Sequence, residues 1–246
     1  MSGDPAIYDR IGVDYSNLRK ADPRIAAQIH AALGDAKTVL NVGAGTGNYE
    51  PTDRQVTALE PSAEMIAQRP AGSAPVVQGH AEALPFADNS FDAAMAVLTV
   101  HHWTDQPKGL SEMRRVAKGP VVIYTFDTAD RSLWLFDYWP EFATLDEAMM
   151  LPISEHENWL GPVEIAPVPI PADCSDGFLA AYWKRPEAYL DIRIRSGISS
   201  FWLVDNVDEG LARLSGDLQS GEWYRRYADL LELDEIDAGY RLVVTK

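Results

Sequence analysis

Cysteine occurs once in the 246 residues, at position 174, which excludes an internal disulfide and a thiolate metal cluster. A reducing cytoplasm is the expected compartment. The start, Met1-Ser2-Gly3-Asp4-Pro5, offers neither the basic nor the apolar region of a signal peptide, and the most apolar stretch, 93–100, is far short of the roughly 20 residues that cross a bilayer. No membrane association is expected. Basic residues are also scarce: 21 Lys and Arg stand against 37 Asp and Glu, a formal charge of −16, so a phosphate-rich partner meets net repulsion. Nucleic acid is not an expected partner. The histidines, at 30, 80, 101, 102 and 156, show no ligand spacing such as His-x-x-x-His, and no metal is expected.

What is present is globular. With 46% hydrophobic, 10% aromatic and 24% charged residues, the chain suits one large domain with a modest insertion. Apolar runs with almost no polar alternation recur between helix-like segments. Thr38-Val39-Leu40-Asn41-Val42 reads as a buried strand entering the glycine turn Gly43-Ala44-Gly45-Thr46-Gly47. Further strands are expected at 55–59, weakly at 76–77, at 91–98 and at 121–125, with Ser62 and Asp105 placed to cap the intervening helices. That order predicts a mostly parallel sheet covered on both faces. Beyond Asp127 come an aromatic-dense helical segment over 133–150, a proline-interrupted edge strand over 163–170, two or three helices over 177–235, and a last strand over 240–245.

Doubly wound sheets bind ligands where the strand order reverses, at the carboxyl end of the first strand. Gly43, Gly45 and Gly47 supply backbone there that can take positive φ and approach a ligand closely. Glu60, ending the second strand, is placed to accept hydrogen bonds from vicinal ribose hydroxyls. Together they describe a nucleoside site. The dinucleotide fingerprint would place glycine at position 48, where Asn48 stands, and Pro51 limits any following helix to a short turn.

The ordered set Val39-Leu40-Asn41-Val42-Gly43-Ala44-Gly45-Thr46-Gly47, Leu59-Glu60-Pro61-Ser62, Met65, Ala81-Glu82-Ala83-Leu84-Pro85-Phe86, Ser90-Phe91-Asp92 and the 112–115 helical segment resembles the class I S-adenosylmethionine-dependent methyltransferases, most of all their type 11 small-molecule group. The resemblance implies an α/β, Rossmann-like fold: a seven-stranded, mostly parallel sheet with helices on both faces and a helical lid or insertion. It implies a cofactor cover at 1–35, a cofactor-binding core at 36–127, lid or substrate segments at 128–160 and 172–236, and closing strands at 161–171 and 237–246. It also implies that Gly43, Ala44, Gly45 and Gly47 cradle the methionine portion of S-adenosylmethionine and that Glu60, followed by Pro61, holds the ribose. Met65 would pack on the adenine, Ala81 and Glu82 border its edge, and Val97 and Leu98 touch the cofactor. From the cover, Tyr15 and Arg19 would reach its sulfonium and carboxylate regions. Two positions depart from the pattern. Asn41 stands where many members carry an acid, and His80 where they carry an Asp that bonds the adenine amino group.

Methyl transfer from a sulfonium is an in-line displacement whose chief need is an acceptor held against the methyl group with water excluded. His101-His102-Trp103 follows the fourth strand beside the expected methyl position. His102, then His101, is the leading general base, the competing reading being that they only shape the pocket. Trp103, Trp134, Tyr138 and Trp139 are expected to wall an apolar cleft for a small, partly aromatic or lipophilic acceptor, with core packing as the competing explanation. Cys174 reads as an inert buried thiol. The alternatives are a module that senses S-adenosylmethionine without transferring methyl and a nicotinamide-dependent oxidoreductase.

Overall fold

Val39, Leu40, Val42, Met95, Val122 and Ile123 are wholly buried. Strands apolar on both faces are stable only at the centre of a sheet covered on both sides, and that is where they sit. The computed structural model, which describes residues 18–246, contains nine strands: β1 (Thr38–Val42), β2 (Gln55–Glu60), β3 (Val76–Gln78), β4 (Ala93–Val97), β5 (Val121–Phe126), β6 (Val163–Pro167), β7 (Ile170–Pro171), β8 (Glu235–Ile236) and β9 (Tyr240–Thr245). Seven of these form one sheet in the order β3-β2-β1-β4-β5-β9-β6. The first five pair in parallel, and β9 runs antiparallel between β5 and the edge strand β6. The order reverses between β1 and β4, opening a crevice at their carboxyl ends.

Capping sets where the helices start. Asp22 accepts from the Arg24 amide to begin α1 (Pro23–Ala32), Ser62 from the Met65 amide to begin α2 (Ala63–Ala67), and Asp105 from the Lys108 amide to begin α3 (Gln106–Val116). Each such cap contributes about 1 kcal/mol. Helix α1 turns Ile25 and Ile29 onto the sheet, and α3 turns Leu110, Met113 and Val116 inward.

The second half is more broken than its periodicity suggests. The 133–150 segment divides at Pro140 into α4 (Leu135–Tyr138) and α5 (Glu141–Met149), because proline cannot donate to a preceding turn. After α6 (Glu157–Leu160) and β6, the expected two or three helices are three short ones, α7 (Ile192–Ser196), α8 (Ser200–Leu203) and α10 (Glu222–Arg226), and one of 14 residues, α9 (Val207–Ser220), mixed with 3-10 turns. The antiparallel pair β7 and β8 closes the base of this block. Among the described residues no helix is long and apolar enough to cross a membrane, and no group of three or more His, Cys, Asp or Glu could hold a metal ion.

Candidate functional site

The chain leaves β1 through Gly43, Gly45 and Gly47, with φ of +68°, +52° and +89°, values that L side chains rarely adopt. A Cβ on Gly43 would lie 2.1 Å from Thr99 Oγ1, so this glycine lets the loops after β1 and β4 close together. A Cβ on Gly47 would meet the Arg69 guanidinium at 3.0 Å. Gly47 serves that turn and does not line the cavity that the loop borders.

Side chains pin this loop from two directions. Glu60 is buried; its Oε2 accepts the Gly45 amide at 2.7 Å and its Oε1 the Ser62 amide at 3.0 Å. Burial raises its pKa above the ordinary carboxylate value, while the two amides and Arg69 pull the other way. Behind the loop Arg69 donates to the Gly45 carbonyl at 3.1 Å and bridges Glu50 at 2.7 Å, and Glu50 accepts from Asn41 Nδ2 at 3.2 Å. The Asn41-Glu50-Arg69 chain was invisible in the sequence, since nothing in the spacing of the three residues announces it. Glu50 supplies, one residue removed in space, a negative charge behind Asn41.

Asn41, Gly43, Ala44, Gly45, Glu60, Pro61, Met65, His80, Ala81, Glu82, Val97 and Leu98 all wall one cavity of about 540 Å³, with Arg19. His80 stands at the rim, exposed. Glu82 ties this wall to the loop after β4, its Oε1 accepting from the Thr104 amide and hydroxyl, both at 2.8 Å. Tyr15 lies outside the described residues. Trp103, expected to wall the acceptor cleft, lines this larger cavity.

A second cavity of about 90 Å³ adjoins the first. Arg19, Leu98, His102, Leu145, Met149 and Leu203 line both. Leu98 has φ +49°, a left-handed conformation that costs a non-glycine residue about 1 kcal/mol or more; it is held there as its amide donates to the Tyr124 carbonyl at 2.8 Å. His101 lines the smaller cavity, its ring centroid 3.8 Å from that of His102, and its buried Nδ1 has no hydrogen-bond partner among the described residues. Burial, reinforced by the nearby Arg19 cation, lowers the pKa of His102 to about 4; burial and the neighbouring ring carry His101 well below its ordinary value. Both imidazoles are therefore neutral at neutral pH. Arg19 itself pairs with the buried Asp176 at 2.7 Å, and the Tyr49 hydroxyl donates to the same carboxylate at 2.8 Å.

Three expected acceptor residues are elsewhere. Trp134, Tyr138 and Trp139 are 3%, 3% and 0% exposed and line neither cavity. The Trp134 indole N–H donates to the Trp183 carbonyl, that of Trp139 to the Val207 carbonyl, and the Tyr138 hydroxyl to Asp217. They are the core of the helical block. The insertion reaches the site through aliphatic Leu145, Met149 and Leu203, while the aromatic walls of the smaller cavity are Phe126, Phe136, Phe178 and Tyr240. Sequence reasoning also missed Asp146, 9% exposed and in the same wall. Burial pushes its carboxyl up to about 7. Its signal was an acid between Phe142 and Met149 at helical spacing, where an apolar residue belongs.

A model of the methyltransferase domain matches residues 40–124. A solved structure from Anabaena variabilis, provisionally assigned as a methyltransferase of an antibiotic biosynthesis pathway, is 37% identical with a TM-score of 0.87 and covers 93% of this chain and 99% of its own. A malonyl-[acyl-carrier protein] O-methyltransferase of Erwinia pyrifoliae is 35% identical over 136 residues, 51% of this chain and 52% of the relative. A demethylmenaquinone methyltransferase of Renibacterium salmoninarum is 38% identical over 96 residues, 36% of this chain and 40% of the relative. The chain thus spans about half the length, or less, of the curated relatives it matches.

Proposed function

The chain belongs to the class I S-adenosylmethionine-dependent methyltransferases, and from that premise we propose that it transfers a methyl group to a small-molecule acceptor held in the smaller cavity. The observation that carries this reading is the common wall: Leu98 and His102 border both the nucleoside-sized cavity and the smaller one.

The residues of the larger cavity fit S-adenosylmethionine. Asn41 Oδ1 is buried without a hydrogen-bond partner among the described residues, as an acceptor awaiting the amino group would be. Gly45 leaves room, its nearest neighbour to a notional Cβ being Met65 Cε at 4.0 Å. Glu60, with one lone pair on each oxygen committed to a backbone amide, keeps others for the ribose hydroxyls. Met65 and Ala81 would enclose the adenine. When bound, the cofactor supplies a methyl group already activated on a sulfonium.

The protein's own contribution is orientation and exclusion of water, an effect reaching ~7–11 kcal/mol in well-aligned systems. Leu98, Leu145, Met149 and Leu203 form an apolar collar at the junction. His102 borders both cavities and is placed to take the proton of an acceptor hydroxyl, amine or acidic carbon; burial leaves it neutral but weakly basic, so it serves as that proton turns acidic with the new bond. A small acceptor agrees with the size of the cavity, and the Anabaena variabilis relative points to specialised metabolites.

The other readings fit less well. A sensing module has no use for a second cavity opening at the transfer point. A dinucleotide would seek a helix N-terminus for its pyrophosphate, and residues 46–54 contain no helix. Titration with S-adenosylhomocysteine, followed by transfer of labelled methyl from S-adenosylmethionine to an acceptor panel, tests the proposal. Dinucleotide binding in place of S-adenosylhomocysteine would refute it.

A further inference from the structure

The smaller cavity is apolar on its flanks and acidic in its wall. Phe126, Phe136, Phe178 and Ile198 provide the flanks; Asp127, Asp130 and Asp146 provide three carboxylates. The cation in the same wall, Arg19, is already bridged to Asp176. Two of the three acids serve the fold. Asp127 accepts from the Ala129 amide at 3.0 Å, and Asp130 accepts from the Ser132 amide and hydroxyl and lies 3.4 Å from Arg241.

Asp146 has no such task. Its residue surface is about nine-tenths buried, and among the described residues the charges that act on its carboxylate are Arg131 and Glu147, with no hydrogen bond among its influences. The nearby cation Arg131 gives its guanidinium to Glu147 instead, at 2.8 Å. A buried carboxylate without a partner is costly unless a charge comes to meet it. Burial lifts its carboxyl to about 7, so at neutral pH the group stands poised between its two forms. Met149, three residues along α5 and on the same face, lines both cavities, which places Asp146 within about one helical turn of the junction.

We propose that the acceptor is a small amine with an apolar body, its ammonium seated on Asp146 and its body among Phe126, Phe136 and Phe178. The Asp146 carboxylate takes one proton from the ammonium, which frees the nitrogen lone pair to accept the methyl group as the sulfonium becomes a neutral thioether. At about 90 Å³ the cavity is smaller than the ~150 Å³ that holds a benzene ring, so a body of at most one ring extends toward the junction shared with the larger cavity. The aromatic faces add favourable contact with a cation, and the acidic wall repels carboxylate acceptors. This assignment rests on the smaller cavity being the acceptor site of a methyltransferase.

The test is calorimetry on the full chain saturated with S-adenosylhomocysteine, titrated with phenethylamine, phenethyl alcohol and phenylacetate. Phenethylamine is expected to bind about tenfold or more tighter than the alcohol, and phenylacetate weakest of the three. Asp146→Asn abolishes the amine's advantage and Asp146→Glu restores part of it, while S-adenosylhomocysteine affinity stays unchanged in both. Asparagine is isosteric and removes a buried charge, so its thermal unfolding is expected at or above that of the parent. Equal binding of amine and alcohol, no amine binding, or an advantage that survives Asp146→Asn overturns the assignment. If S-adenosylhomocysteine itself fails to bind the parent protein, the fault lies instead with the reading of the larger cavity.

Discussion

Glu60 at the end of β2 accepts the Gly45 amide at 2.7 Å. The acid expected to hold the ribose is thereby also the strut that holds the glycine loop open. One carboxylate does two things because β1 and β2 are parallel neighbours, Val42 standing opposite Leu59, so their carboxyl ends emerge side by side.

Replacing Glu60 by alanine removes both functions. Glu60→Ala is expected to lose more than about tenfold in S-adenosylhomocysteine affinity, in line with the ~1.5–3 kcal/mol scale of hydrogen bonds to charged groups. Calorimetry giving unchanged affinity would refute the ribose assignment.

Gly43 allows close approach of Thr99, with a notional Cβ 2.1 Å from its hydroxyl. Gly43→Ala adds that clash to an unfavourable φ and is expected to cost ~1–3 kcal/mol of stability, with weaker S-adenosylhomocysteine binding. Denaturant unfolding checks it; a variant as stable as the parent contradicts the geometry.

His102 tests the chemistry apart from the binding. His102→Gln is expected to lower kcat by ~10²–10⁴ for an acceptor that must surrender a proton, with S-adenosylhomocysteine affinity changed by no more than a few-fold. A kcat within threefold of the parent, roughly 0.7 kcal/mol, would leave His102 as a wall residue only.

The aromatic helical block makes a contrasting prediction. Trp139, fully buried against Phe142 and Phe201, is expected to cost ~3–5 kcal/mol when truncated to alanine, seen as a lower denaturation midpoint. Were it an acceptor contact, stability would barely change and KM would rise.

Acid sensitivity follows from buried histidines. His156 is wholly buried, neither ring nitrogen has a hydrogen-bond partner among the described residues, and burial holds its pKa at about 4 against an ordinary 6.5. Between those values the unfolded chain binds the proton and the folded chain does not, so stability falls as pH drops through that window. His101 and His102 act in the same sense. Asp146 opposes them: raised to about 7 from 3.8, it takes up its proton first in the folded state and gains stability as pH falls. His156→Leu is expected to flatten the acid limb by up to ~1.4 kcal/mol per pH unit, measured as unfolding free energies at about pH 5 and pH 7. An unchanged slope contradicts the account of His156.

The sequence disclosed the central sheet and much of the larger cavity because both depend on local patterns. Unbroken apolar runs require a covered parallel sheet, and glycines and an acid at strand ends require a ligand crevice, so β1, β2, β4, β5 and β9 and the walls from Asn41 to Leu98 could be anticipated. The acceptor side depends on contacts between residues far apart in the chain. Phe126, Asp146, Phe178 and Tyr240 meet only after β9 has inserted between β5 and β6 and α5 has folded over the junction. Trp134, Tyr138 and Trp139 misled for the same reason. An aromatic helix beside a site and an aromatic helix packing on Trp183, Trp223 and Phe201 are written alike, and only the later helical block tells them apart.

Crystals grown with S-adenosylhomocysteine give the most direct measurement. The product is expected to lie along Gly43 to Gly45, with its ribose on Glu60 and its sulfur at the wall shared by Leu98 and His102, facing the smaller cavity. A sulfur directed away from that wall, or a glycine-loop cavity left empty at saturating ligand, would contradict the account.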